Sequence, residues 1–254
     1  MKIVFPELEN SVAWEAIQGF PKIEFISAKS LDEAVEIVAR GEADSMISGL
    51  DFPSRDVVIA YKNHLTLKSD YFSSCFVMKR GDYHLTLADG GINKMPDENQ
   101  LYTIVEDTVR THMAYFDEQP KIAMLSYSTY GSGGKNPDLA KIHFVIDKIR
   151  AEHPDWVIDG EMQLDAAISP EVAEKKTPGS PLMGSANILI VPDLNSGNIL
   201  YKSLERFGGF VVAGPIIQGF LQPLADLSRG STVEDTVLTI DVIKKLLESS
   251  ERKV

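Results

Sequence analysis

An α/β fold with a mostly parallel sheet is the architecture this sequence predicts, and three observations carry the prediction. Short β-rich runs alternate with longer amphipathic segments, capping residues punctuate them, and "KIAMLSYS", "WVIDGE" and "ANILIVPD" recur with helices between them in a βαβ rhythm. The chain has 254 residues and is 44% hydrophobic, enough for a real core in one large domain or two smaller lobes.

The elements follow in order. "KIVF" reads as a strand, "NSVAWEAIQGF" as a helix and "KIEFIS" as a second strand. "SLDEAVEIVARG" is a helix whose start carries a capping box, Ser30 with Glu33, and whose end is closed by Gly41. "ADSMISGL" is a buried strand running into a glycine turn. "SSCFVMKR" and "YHLTLADG" look like neighbouring antiparallel strands joined by "RGDY". Residues 97–116 are helical by pattern, "GGFVVAG" adds a short strand, and "STVEDTVLTIDVIKKLLES" is a final amphipathic helix. No repeat, low-complexity tract or linker interrupts the chain.

Charge narrows the partners. With 37 acidic against 25 basic residues the net charge is −12, which repels nucleic acid and anionic membranes. An anionic ligand must therefore be met by a few locally placed cations. Cys75 is the sole cysteine, which excludes a disulfide framework and a cysteine-rich zinc site; its strand-like flanks "SSCFVM" mark it as a core side chain. The start "MKIVFPELEN" lacks the apolar run of a signal peptide, and no apolar stretch reaches about 18 residues. A soluble, cytoplasmic protein is expected.

Parallel sheets bind ligands outside the carboxyl ends of their strands, so four segments hold the candidate residues: "SYSTYGSGGKNP", "VPDLNSGN", "AGPIIQG" and "DLSRGSTVED". The binding candidates on them are Ser128, Thr129, Gly131, Ser132, Asn195, Gly214, Pro215, Gln218 and Gly230. "STYGSGGK" follows a strand and precedes a helix, where backbone N–H groups cradle phosphate, but Asn136 after Lys135 and the glycine spacing reject a Walker A loop. Asp159, Glu161 and Asp165 crowd together without a histidine nearby in sequence, which suits capping or solvated carboxylates at a strand-to-helix turn rather than a metal site. His64, His84, His112, His143 and His153 have no ligand or triad spacing and read as structural or surface residues.

"DLSRGSTVED" supports two readings. Ser231 with Glu234, and Thr232 with Asp235, both have capping-box spacing, so the carboxylates serve a plain helix start. Arg229 is left over, because a cation ahead of a helix N-terminus opposes the dipole unless an anion joins it. Its planar fork beside free N–H groups makes a phosphate socket, with Asp235 about one turn away.

The stretches "GEADSMISG", "KIAMLSYSTYGS", "GEMQLDAAISPEVAEKKTPGSPLMGSANILIVPDLNSGNILYKSLERFGG" and "GPIIQGFLQPLADLSRGSTVED" resemble the phosphate acetyltransferase and phosphate butyryltransferase family, closer in detail to the acetyl branch. The resemblance implies a two-lobed fold like that of the isocitrate and isopropylmalate dehydrogenases, with a mostly parallel sheet and an interlobe cleft. One lobe would comprise residues 1–68 plus 216–254, the other residues 69–215. It implies reversible acyl transfer between coenzyme A and phosphate: acetyl-CoA plus phosphate gives acetyl phosphate plus CoA. It also implies a homodimer, no metal and no permanently bound cofactor, coenzyme A being a substrate. Within it Asp235 corresponds to the base on the coenzyme A thiol, Ser228 to the residue stabilising the reacting centre, and Arg229 to the residue binding phosphate or coenzyme A. The alternatives are a butyryl or other short-chain version, and a relative that binds CoA or acyl phosphate without turnover. Two departures stand out. The N-terminal lobe is shortened between "FPELENSVAWEAIQGF" and "SLDEAVEIVARGEAD", and a family arginine position falls on Ile59, with Arg55 and Lys62 the neighbouring cations.

Overall fold

The structure is a computed structural model that describes residues 1–251. It divides into two compact units, the first formed by residues 1–77 and 211–254 and the second by residues 78–210. Each is α/β.

In the first unit, β1 (Lys2–Val4), α1 (Ser11–Ile17), β2 (Glu24–Ile26), α2 (Leu31–Ala39), β3 (Ser45–Ser48) and α3 (Ser54–His64) follow in order. β1 is flanked by β2 and β3, both parallel to it, with Ile3 opposite Phe25 and Val4 opposite Met46. Ser30 caps α2 by accepting from the Glu33 N–H, while Glu33 reaches back to the Lys29 N–H rather than to that of Ser30. Ala34, Val35 and Val38 give α2 one buried stripe. β4 (Ser73–Arg80) then carries the chain across the unit boundary at Val77; Cys75 on it is fully buried, a core side chain.

The second unit contains β5 (Tyr83–Ala88), α4 (Glu98–Phe116), β6 (Lys121–Leu125), α5 (Pro137–Glu152), β7 (Val157–Met162), α6 (Leu164–Ile168), α7 (Pro170–Lys176), β8 (Ile188–Ile190) and α8 (Leu194–Arg206). β5, β8, β6 and β7 form consecutive parallel pairs, with Leu87 opposite Leu189, Leu189 opposite Ala123 and Ala123 opposite Asp159. Ile122, Ala123, Ile188 and Leu189 are wholly buried, as central parallel strands require. α4 opens on a complete capping box, Asp97 with Gln100, and packs on α5, which in turn packs on β7.

The chain re-enters the first unit through β9 (Val211–Gln218), β10 (Leu224–Asp226) and α9 (Val233–Glu251). β10 lies parallel to β3, with Asp226 opposite Ser48, and antiparallel to β9. Here the structure departs from the sequence reading. "GPIIQ", expected as a ligand loop, is continuous strand, and β10 was not anticipated at all. Three residues preceded by Gln222 and Pro223 are too few to display a strand period. α9 packs on β9 and α1. Among the described residues, no helix is long and apolar enough to cross a membrane.

Candidate active site

In the first unit the candidate residues gather on the turn from β10 to α9. Ser228 and Ser231 fold this turn on itself: the Ser228 N–H donates to Ser231 Oγ (3.1 Å), the Ser231 N–H to the Ser228 carbonyl (2.9 Å), and the Gly230 N–H to Ser228 Oγ (3.2 Å). Ser231 is therefore occupied inside the turn, and the capping pair is the second of the two that spacing allowed. Asp235 N–H donates to Thr232 Oγ1 (3.2 Å), while the Thr232 N–H and hydroxyl both donate to Asp235 Oδ2 (2.8 Å each). Asp235 does more than cap. Its Oδ1 accepts the Val212 N–H at 2.8 Å, so one carboxylate ties the start of α9 to β9 and is only 4% exposed. A carboxylate offers about four lone-pair sites, and three donors reach this one, which leaves a vacant site on Oδ1.

Arg229 is exposed and has no hydrogen-bond or ion-pair partner among the described residues. A planar, permanently charged fork on an exposed tight turn beside hydroxyls suits an oxyanion. On β9, Gly214 donates its N–H to Thr239 Oγ1 of α9 (3.1 Å), and the buried Gln218 accepts from Ser73 Oγ (3.0 Å). Pro215 between them is half-buried within the same strand. Ile59 and the neighbouring Arg55 and Lys62 all lie exposed on α3.

In the second unit the glycine-rich segment after β6 is organised around Glu161, which is 0% exposed. The β6–β7 register slips at this point: Met124 faces Gly160 and Leu125 faces Met162, leaving Glu161 as the extra residue of a bulge that re-aims its side chain. Gly160 makes the bulge feasible, since at φ 146° an added Cβ would come within 2.7 Å of the Met124 carbonyl oxygen. Glu161 Oε1 accepts from the Ser128 hydroxyl (2.7 Å) and the Gly131 N–H (2.8 Å), and its Oε2 pairs with His143 Nε2 on α5. Burial alone would raise this carboxyl's pKa, but the bonds from Gly131, Ser128 and His143 outweigh it and hold the group below its ordinary value.

The loop thus wraps an anion supplied by its own chain. The Gly133 N–H goes to Ser128 Oγ (2.8 Å), the Thr129 N–H to Ser132 Oγ (2.9 Å), and Thr129 Oγ1 accepts the Gln163 N–H (3.0 Å). Asp159, two residues before Glu161, accepts from Ser180 (2.6 Å), from Arg150 (3.0 Å) and from the Tyr130 hydroxyl. The expectation of solvated or capping carboxylates holds for Asp165, which pairs with Lys176 at 2.7 Å, and fails for Asp159 and Glu161. No alternation along β7 signals this, because the bulge at Glu161 breaks the strand period. Their partners, His143 and Ser180, are remote in sequence. Asn195 lies exposed in the first turn of α8, whose N-cap Asp193 accepts from the Ser196 N–H (2.9 Å).

These features define the class: a two-unit α/β protein, mostly parallel, with hydroxyls, glycines and carboxylates gathered at the carboxyl ends of its strands. The chain belongs to the phosphate acetyl/butaryl transferase family, whose family model matches residues 20–243. It is 39% identical over 201 residues to a phosphate acetyltransferase of Bacillus subtilis, covering 78% of this chain and 62% of that protein. The chain therefore spans about three-fifths of the length of that relative. The crystal structure of a phosphotransacetylase from Streptococcus pyogenes superposes with a TM-score of 0.86 at 31% identity, covering 98% of this chain and 94% of that one. A 4-hydroxythreonine-4-phosphate dehydrogenase from Klebsiella pneumoniae, at 12% identity and a TM-score of 0.52 over 85% of this chain and 68% of that one, shares the fold alone.

Proposed function

We propose that this chain transfers an acetyl group reversibly between coenzyme A and inorganic phosphate, with Asp235, Ser228 and Arg229 as the catalytic residues. The observation that carries the reading is the β10–α9 turn, which presents an unpartnered guanidinium and a hydroxyl directly before a helix whose third residue is a carboxylate with one vacant lone-pair site. In the direction of acetyl-CoA synthesis, Asp235 takes the thiol proton, sulfur bonds to the acetyl carbon, and the carbon–oxygen bond to phosphate breaks. A thiol of pKa about 8.5 is mostly protonated at neutral pH, so a positioned base raises the reactive thiolate fraction during attack. Ser228 Oγ already accepts from Gly230 N–H, which leaves its own proton to meet charge growing on the acyl oxygen. Arg229 holds the phosphate with two parallel bonds.

Ser128, Thr129, Gly131, Ser132 and Asn195, together with Gly214, Pro215, Gln218 and Gly230, complete the proposal as groups that shape or contact the bound coenzyme A and phosphate. A soluble cytoplasmic homodimer without a permanent cofactor is part of the same reading. The test is release of free thiol from acetyl-CoA on adding phosphate, run beside butyryl-CoA and beside Asp235→Asn. Turnover that falls by roughly 10²–10⁴-fold in the variant supports the reading. Faster turnover of butyryl-CoA moves the acyl assignment, and binding of CoA without turnover in the unsubstituted chain rejects catalysis.

A further inference from the structure

Two carboxyl groups that take no part in the proposed chemistry are buried together at the carboxyl ends of β1, β3 and β10. Glu7, just past β1, is 6% exposed; its Oε1 accepts from the Gly49 N–H (2.8 Å), the Ser48 hydroxyl (3.3 Å) and the Asp51 N–H (3.3 Å). Asp226, the last residue of β10, is 1% exposed. One oxygen of each, Glu7 Oε2 and Asp226 Oδ1, lacks a hydrogen-bond partner among the described residues. Gly49 stands between them: its N–H serves Glu7, and a Cβ added to it would lie 2.5 Å from Asp226 Oδ1 and 2.3 Å from the Leu227 carbonyl oxygen.

Neither acid has a cation to offset it among the described residues. Two ionised carboxylates here would leave two desolvated, uncompensated charges in one small space, an arrangement proteins relieve by retaining a proton. The donors decide where that proton goes. Burial raises the Glu7 pKa, but three donors point at this group and oppose the rise, favouring its ionised form, whereas at Asp226 the nearby Ser54 hydroxyl at the start of α3 alone favours ionisation.

We propose that Asp226 is a positioning residue held as the neutral acid beside an ionised Glu7, and that this one-proton pair sets the position of the Ser228–Arg229 turn. The mechanical link is short. Asp226 is two residues from Ser228, and the intervening Leu227 donates its N–H to the Ser48 carbonyl, on the same β3 end that Glu7 binds. A second charge at Asp226 would repel Glu7 and loosen the β10 end from which the turn starts. Burial, then the charge of Glu7, pushes the Asp226 pKa up to about 7, against the pull of Ser54. The other titratable groups around the pair do not supply the missing charge. Tyr61 of α3 donates its hydroxyl to the Ala225 carbonyl (2.9 Å), with burial pushing its pKa well up. The exposed Asp51 accepts from Asn10 (2.9 Å).

The proposal rests on the acyl-transfer reading for its kinetic arm alone, so a second readout is independent of activity. Infrared difference spectra between pH 6 and pH 9 should show the carbonyl band of a buried protonated carboxyl at pH 6 only. The band should persist in Glu7→Gln and vanish in Asp226→Asn, an amide that keeps the neutral shape. In kinetics, the ratio of Asp226→Asn to wild-type kcat/KM for phosphate should rise about tenfold per pH unit above the titration, because the amide cannot ionise. No such band in the wild-type chain overturns the proposal without touching the acyl-transfer reading, as does a band unchanged by Asp226→Asn. A variant ratio independent of pH assigns Asp226 a merely structural role and overturns it too.

Discussion

Replacing Glu161 with glutamine tests whether one buried carboxylate organises the glycine-rich segment. The wild-type oxygens receive the Ser128 hydroxyl at 2.7 Å, the Gly131 N–H at 2.8 Å and His143 Nε2, all from groups able to donate. Hydrogen bonds to a charged partner contribute roughly 1.5–3 kcal/mol each, against about 1 kcal/mol for neutral pairs. The substituted amide would keep the bonds from Ser128 and Gly131 as neutral ones, a loss of about 1 kcal/mol for each. Its nitrogen would face His143 as donor against donor until the half-exposed imidazole changed tautomer or turned away. We expect Glu161→Gln to destabilise the chain by about 2–3 kcal/mol at pH 7, read as a lower chemical-denaturation midpoint with an unchanged slope.

The pH dependence gives the sign. The folded-state pKa of Glu161 lies below its ordinary value, so its contribution is present above the unfolded value, 4.5, and is lost as pH falls through the folded one. The gap between wild type and variant should therefore narrow in acid. A difference below about 0.5 kcal/mol at pH 7, in the range of ordinary surface substitutions, would refute the idea that this carboxylate holds the loop.

Two further outcomes follow from other buried sites. Gly49→Ala should destabilise the chain by about 2–4 kcal/mol through overpacking and backbone strain, because φ is 111° and the new methyl would meet the Leu227 carbonyl oxygen at 2.3 Å; a denaturation midpoint within error of wild type counts against the contact. His112 accepts from Thr86 through Nδ1 (2.9 Å) and donates through Nε2 to Glu118 (3.0 Å), the pattern of a neutral ring, and burial lowers its pKa to about 4 against the pull of Glu118. The unfolded chain takes up that proton near the ordinary value of 6.5, so stability should fall as pH drops from there toward 4. The lowered pKa of Glu118 adds to the loss at lower pH. His112→Gln should flatten the midpoint-against-pH curve between these limits, and an unchanged slope would exclude His112 as its source.

The parts of the structure legible from the chain alone were those written in local periodicity and capping chemistry. The α/β class, the capping of α2 by Ser30, the buried strand around Cys75 and the candidacy of Thr232 with Asp235 as one of two possible capping pairs all depend on residues within a few positions of one another. The ordered motifs from "GEADSMISG" to "SRGSTVED" carried the family in the same way. What escaped depended on partners far along the chain. "GPIIQ" is strand because β10 lies alongside it, and β10 is too short to show a period of its own.

The carboxylates mark the division most clearly. By itself the sequence determined the longer strands and helices and where capping acids can open a helix, because those choices are made by neighbouring backbone and side-chain groups. Only the tertiary structure decided that Glu161 turns inward to His143 and the Ser128 loop, and that Glu7 and Asp226 meet around Gly49. The physical reason is desolvation: an acid's charge state and role depend on which donors and which other charges share its buried space, and that company is assembled by packing rather than by sequence proximity.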